Sequence, residues 1–534
     1  MLTPDYLKKA PDYIVKLYQE LEDFIIEDIS RRIAKAGKIT STAEWQYIKA
    51  QEIGLSEREI KKKIKEMLKK SDKEIDKLFK EAAEESIKFD NKIYEKANLK
   101  TISLDGSKML QDYVKAFKKQ TKGELKNITN SLGFCTKEVN EKIKSRLLTQ
   151  AYIKHMDFAQ LQISSGAIDY NTAIRNTVKE LSKSGVQFIN YDSGWHNRLD
   201  VAVRRSTLTG LNQMSQKMTE GLMEEMNCEY VEVSAHPGAR PTHEEWQGGV
   251  YQMNGSSSEY PNFEDTTGYG SADGLGGYGC RHSFFPFFPG ISTRTYSKED
   301  LKNINPYENI DYNGKTYTYY EATQKQRQLE RDIRASKREL VGYKAIGDNQ
   351  AFANASIKLQ QQKEAYNSFN KAVNLKANNA RTQANGFGRS ISQKSVNNYK
   401  SVEKEANRLY NLGSSKDNIK AYLRDKPTRD ILEKRNIQFV QRINEKEVIV
   451  KLDKPNITGV REHIYDNMKV KEDRKNMTPS KGQEFVDNAK LVLYQELNET
   501  IKFLADKGYT VLNLDYELVT IVPQKWRNKY NKYI

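Results

Sequence analysis

The chain has 534 residues, 37% of them hydrophobic and 30% charged, with a formal net charge of +16. That length calls for about three or four domains, and the composition suits long helices with narrow apolar faces rather than disorder. Three widely separated cysteines make no disulfide framework and fit a reducing compartment. No apolar run approaches the ~20 residues of a membrane helix, and Pro4, Asp5, Lys8 and Lys9 interrupt any signal-peptide pattern. The expectation is a soluble intracellular product with no membrane partner. Its positive charge favours a polyanion such as DNA, although lysines spread this widely also describe an ordinary solvated helical surface.

Residues 1–100 read as a helical region. Ile14, Leu17, Leu21, Ile25, Ile29 and Ile33 recur at three- and four-residue steps, on a helix that Pro11 opens and Gly37 closes. Capping-box patterns at Ser41/Glu44, Ser56/Glu59 and Ser71/Glu74 predict three further helix starts. Residues 101–300 form the next division. Helices continue to about 230, with breaks near Gly133, Gly166, Gly185 and Gly194, and the clearest helix runs from Asn197 to Asn227. Arg198, Arg204 and Arg205 on it suit carboxylates or phosphate, and the structural salt bridge is the preferred reading for each.

The composition then breaks. Glu229–His236 alternates as a strand, and GGVYQM carries a second. Between them and after them runs a Gly/aromatic loop, 236–290, holding three of the six histidines (His236, His243, His282) and one of the three cysteines (Cys280). Its glycines forbid a regular helix and imply turns with positive φ. Trp246, Phe284, Phe285 and Phe287 predict a buried plug around which the helices pack. A loop this long inside a domain is normally functional or held by something specific.

Residues 319–345 and 349–375 read as two polar helices, giving a helical hairpin over 301–375 that projects from the body. Residues 376–416 read as a linker: from 376 to 400 the chain is Asn, Ser, Gly, Gln and Lys without periodicity. The last division, 417–534, holds a hairpin across Asn444-Glu445, a helix from Ser480 to Gly508 with a candidate break near Glu499, and a second hairpin in TVLNLD and LVTIVP. The fold class is therefore mainly α with a small β element around a Gly-rich loop, followed by a C-terminal α+β domain.

HPGARPTHEEWQG followed by GYGCRHSFFPFFPGIS closely resembles the signature of the tailed-phage minor capsid protein 2 family. The opening stretch PDYIVKLYQELEDFIIEDISRRIAKAGKIT, together with NRLDVAVRRSTLTGLNQ and YEATQKQRQLERDIRASKREL, resembles the same family, so the likeness runs in order over about residues 1–375. It implies a virion structural protein in or near the head, with the portal and other capsid proteins as partners; the basic charge makes packaged DNA a candidate further partner, and the cysteine usage fits synthesis in the bacterial host cytoplasm. The resemblance implies no established enzymatic activity for that region. The C-terminal segment REHIYDN…DRKNMTP…LVTIVP resembles compact barnase/EndoU-type nuclease-like domains. That likeness implies an acid/base role for His463, phosphate binding by Arg474 and a polar strand contact by Thr520, hence a virion-carried effector that cleaves RNA as the alternative function.

His236, His243, Cys280 and His282 have the ligand types of tetrahedral zinc. Their spacing has no CxxC knuckle, and only Cys280-Arg281-His282 is close-spaced. The competing reading is that these side chains cap turns and hydrogen-bond buried carbonyls. A Cys280 nucleophile with His243 as its base lacks an orienting acid and an oxyanion site.

Overall fold

A computed structural model describes residues 1–36, 42–137, 143–147, 150, 170–189, 196–411, 440–444, 446–452, 454–461, 477–495, 497–525 and 531. The chain divides into two compact units, Met1–Gln393 and Lys394–Ile534. No helix among the described residues is long and apolar enough to cross a membrane.

The first unit is mainly helical, and its centre is the Asp12–Ala36 helix rather than the glycine-rich loop. Its stripe of Ile14, Leu17, Leu21, Ile25, Ile29 and Ile33 is buried along its whole length. That stripe packs against the Thr42–Lys96, Tyr170–Ser184, Leu199–Glu225 and Tyr319–Ile346 helices. The reason is breadth: a continuous apolar side can serve several partners, whereas a Gly-rich loop presents no regular face.

Two of the three expected helix starts are not starts. Residues Thr42–Lys96 form one helix of 55 residues, about 80 Å long; Ser41 lies outside the described residues. Ser56 and Glu59 face the neighbouring helix instead of a terminus. Ser56 Oγ donates to Asp28 Oδ2 at 2.6 Å, and Arg32 bonds Asp28, Glu52 and Glu59. A small hydroxyl at Ser56 or Ser71, both buried, lets another helix approach closely. Sequence spacing alone does not distinguish that use from a cap.

Between 101 and 230 the chain is not all helix. Strands β1 (Leu132–Lys137), β2 (Ile143–Leu147), β3 (Gln187–Ile189) and β4 (His196–Arg198) form a sheet in the order β2-β1-β3-β4. The loop region is framed by a second sheet of β5 (Tyr230–Val233), β6 (Val250–Gln252) and β7 (Phe284–Phe287), with β5 in the middle. Pro286 is tolerated because β7 is an edge strand. A two-stranded hairpin, β8 (Asn309–Tyr312) and β9 (Lys315–Thr318), turns at Asn313-Gly314, both at positive φ.

The polar helices Tyr319–Ile346 and Asn349–Ala372 do form a hairpin, but it packs into the body rather than projecting. Gly342 lies where an added Cβ would sit 2.7 Å from Val178 Cγ1, so the helix backbone runs close against the Tyr170–Ser184 helix. The stretch read as a linker is also ordered: residues 379–382 form a 3-10 turn and Arg389–Asn411 is a helix. Ile391 and Ser395, one helical turn apart, are buried. Too few apolar residues mark that face for periodicity to register.

The second unit is a sheet with strand order β10-β11-β13-β14-β15-β16-β12. The strands are β10 (Val440–Asn444), β11 (Glu447–Val450), β12 (Gly459–Val460), β13 (Leu491–Gln495), β14 (Thr500–Leu504), β15 (Gly508–Asn513) and β16 (Glu517–Pro523). Both expected hairpins are present. The long expected helix is not: it stops at Asp487, and the rest is the β13–β14 hairpin. Leu491 to Tyr494 are all buried, because the sheet is covered on both faces. Such an unbroken apolar run fits helix and strand equally. The Pro479–Asp487 helix packs on β14, β15 and β16.

Candidate metal centre

Three of the four candidate ligands meet at the edge of the β6-β5-β7 sheet. The β5–β7 ladder pairs Val233 with Phe284 and extends beyond it, with Ser234 N donating to Ser283 O at 2.8 Å. This brings His236 beside His282. Cys280 and His282 lie two residues apart on the segment that leads into β7, and Asn212 Nδ2 holds the carbonyls of both. His243 arrives on a single helical turn, Pro241–Glu244, which Pro241 opens. Two close glycine approaches fix the returning loop: a Cβ at Gly276 (φ +74°) would lie 2.3 Å from Gln216 Oε1, and one at Gly274 would lie 1.9 Å from Gly268 O.

Cys280 Sγ lies 3.7 Å from His243 Nδ1 and 3.6 Å from His282 Nδ1, and the two Nδ1 atoms are 3.4 Å apart. All three residues are at most 3% exposed, so solvent hardly reaches them. The outer nitrogens are committed elsewhere. His243 Nε2 lies 2.8 Å from Asp273 O, which only accepts, so this nitrogen carries the proton. His282 Nε2 lies 3.1 Å from Gln247 Oε1, whose acceptor role is set by the His236 backbone N–H at 3.1 Å. His282 therefore also donates from Nε2, and both Nδ1 lone pairs face the sulfur.

Burial sets the electrostatics. It pushes His282 well below its ordinary value, with His236 and His243 adding repulsion. His243 is lowered by burial too, against the Asp273 carbonyl contact that raises it. The Cys280 thiol is pushed up by the same loss of water. Trp246 closes the cluster, with its ring 4.5 Å from His243 and 4.9 Å from His282.

A family model described as phage minor capsid protein 2 matches residues 2–371. The chain belongs to that family. It is accordingly a structural protein of the phage virion, and the matched region spans nearly all of the Met1–Gln393 unit, centre included. No curated protein and no solved structure matches the chain.

His236 is not part of the convergent group in this capsid protein. Its ring stacks on His282 with centroids 4.3 Å apart and planes 18° apart. An ion bound to an imidazole nitrogen lies in the ring plane, so two stacked rings cannot share one. Its Nδ1 instead faces Arg281 Nη2 at 3.1 Å and Pro237 O at 3.0 Å, and burial with Arg281 nearby lowers it to about 3.

The sequence pattern missed the residues that hold the cluster. Asn212 Nδ2 donates to Cys280 O at 3.2 Å and to His282 O at 2.8 Å, and Gln216 supports the second carbonyl at 3.3 Å. Their signal was present. Asn212, Ser215, Gln216 and Thr219 are polar residues on the buried side of the Leu199–Glu225 helix, where each needs a partner. In the second unit, His463 and Arg474 lie outside the described residues. Thr520 is half-buried on β16, paired with Val511.

Proposed function

We propose that this virion protein is attached at or near the portal and faces the capsid interior, docked through its Met1–Gln393 unit. The observation that carries this is the extent of the family match, 2–371, which coincides with nearly the whole of one folded unit and leaves the second outside it. A shared structural role then belongs to the first unit. Contact with packaged DNA is supported by a crowded cationic cluster. Burial first, then repulsion from Arg327 and Arg204 on Arg281 and from Arg204 and Arg331 on Arg327, lowers both guanidinium groups against the pull of Asp5, Asp12 and Glu330, and burial and Arg281 lower Lys8 beside them. Phosphates relieve such crowding.

An electron-microscopy map of the virion tests the reading: density for the Met1–Gln393 unit at the portal vertex supports it, and density confined to the outer capsid surface or the tail overturns it. For the DNA contact, affinity for duplex DNA should fall with salt, and Arg327→Gln should reduce that salt dependence.

The second reading, an RNA-cleaving C-terminal unit, is favoured by one feature: a short helix packed on a sheet that is antiparallel except for its β12 edge, the layout the nuclease resemblance calls for. Labelled RNA incubated with the intact protein and with His463→Ala decides it. Cleavage lost in the variant supports the reading, and no cleavage by the intact protein ends it.

A further inference from the structure

We infer that His243, Cys280 and His282 bind one zinc ion through Nδ1, Sγ and Nδ1, and that this ion staples the glycine-rich loop to β7. The spacing of the three ligand atoms fits. Zinc bonds of 2.0–2.1 Å to nitrogen and 2.3 Å to sulfur, at tetrahedral angles, imply ligand edges of about 3.4 Å between nitrogens and about 3.6 Å between nitrogen and sulfur. The observed edges are 3.4 Å for the nitrogen pair, and 3.6 and 3.7 Å to sulfur.

The hydrogen-bond inventory is the second, independent observation. Both imidazole N–H groups are spent on Asp273 O and Gln247 Oε1, which is how metal-binding histidines are oriented from behind. Two bare lone pairs therefore face one thiol. A thiol carries one proton and can satisfy one of them, leaving the other as a buried acceptor with no donor. Sharing a proton between the imidazoles would place a cation in a dry site beside Arg281. One metal ion on the thiolate satisfies all three atoms, and the thiol proton leaves for solvent as the ion binds.

The ligand set also selects the ion. Thiolate with two imidazoles suits zinc and disfavours magnesium and calcium, which take oxygen. Three protein ligands leave the fourth tetrahedral position to a small ligand such as water. Asn212 Oδ1 is a buried acceptor without a hydrogen-bond partner, on the side chain whose Nδ2 already holds the Cys280 and His282 carbonyls. The centre is a staple rather than a reaction site, because its three side chains are almost wholly covered.

The test uses the full-length protein. Metal analysis of protein purified without chelator should give one zinc per chain. Cobalt exchanged into the site should show the near-ultraviolet thiolate charge-transfer band and the visible bands of a tetrahedral ion. Cys280→Ser should lose the charge-transfer band and drop zinc to below about a tenth of an equivalent. His236→Gln removes the stacked ring but no ligand, so it should keep zinc and the cobalt spectrum. Should Cys280→Ser fail to fold, chelation of the intact protein still reads the site: stripping zinc should lower its melting temperature, and zinc alone should restore it. The proposal is overturned if the intact protein carries no stoichiometric zinc and gives no cobalt charge-transfer band. It is also overturned if Cys280→Ser retains a full equivalent, or if His236→Gln loses the ion.

Discussion

Arg338 has almost no access to water, yet it sits in a helix whose sequence looks solvated. Its guanidinium bonds Asp23 Oδ1 at 2.5 Å and pairs with Glu22, while Arg334 on the same helix pairs with Asp200. Burial pushes the Asp200 carboxyl up, but Arg334 and Arg198 outweigh it and hold it well below the usual carboxylate range. Removing one partner strands the others, so Arg338→Ala should cost about 3–5 kcal/mol in urea unfolding. A triple change to Glu22→Gln, Asp23→Asn and Arg338→Met should recover most of that loss. Lys337, beside it, donates to Thr382 O at 2.7 Å, and burial lowers it to about 8 from 10.5. The unfolded chain then binds the extra proton between those values, so Lys337 makes stability rise with pH from about 8 to 10.5 and contributes no slope outside that window. Subtracting the pH profile of Lys337→Met from that of the parent protein should isolate the rise; superimposable profiles would contradict it.

At the scale of elements, the glycine-rich loop is held by a few large side chains and by close backbone approaches. Trp246 is buried against His243, His282 and the cluster of Val231, Val233 and Phe284. Trp246→Ala should cost about 3–5 kcal/mol, seen as a lower melting point for the first unit with the second unaffected. Gly276→Ala should cost more than about 1 kcal/mol, since a Cβ there meets both a positive φ and Gln216. An unchanged melting curve for either variant would mean the loop is peripheral to the unit's stability. Glu232 ties the loop to the sheet. Alternation would place it outward, but it is buried and accepts the backbone N–H groups of Thr295 and Tyr296 at 2.7 and 3.1 Å, tying the exit of the loop to the middle strand.

The whole molecule is two units, and the boundary falls inside a stretch whose composition reads as linker but whose described part from Arg389 is helical. Each unit has its own buried cluster: one built on the Asp12–Ala36 helix, the other including Ile449, Leu491, Leu493 and Leu504. Two cooperative transitions are therefore expected in calorimetry. A fragment Met1–Gln393 should be soluble and should reproduce one of them at an unchanged temperature. A single transition for the intact chain, or an insoluble fragment, would show that the units depend on each other to fold.

The sequence by itself determined the helical character of the first unit, the apolar stripe of 12–36, the buried aromatics of the loop and three of the residues that converge at its edge. Each is a local signal, whether a period, a composition break or a ligand type, that survives in almost any tertiary setting. What only the tertiary structure decided was partnership. Ser56 and Glu59 spell a helix cap but serve Asp28 and Arg32 on another helix. The charges of 319–346 spell a solvated hairpin but are neutralised from the 12–36 and 199–225 helices. The run from Leu491 to Leu504 spells a helix, yet strands on both sides complete a sheet. His236 has the right chemistry for a ligand, and a stacked ring, set by the register of β5 on β7, turns it away. Polar groups can be buried only where a distant segment supplies the complementary charge or hydrogen bond, and the linear order of residues does not carry that distance.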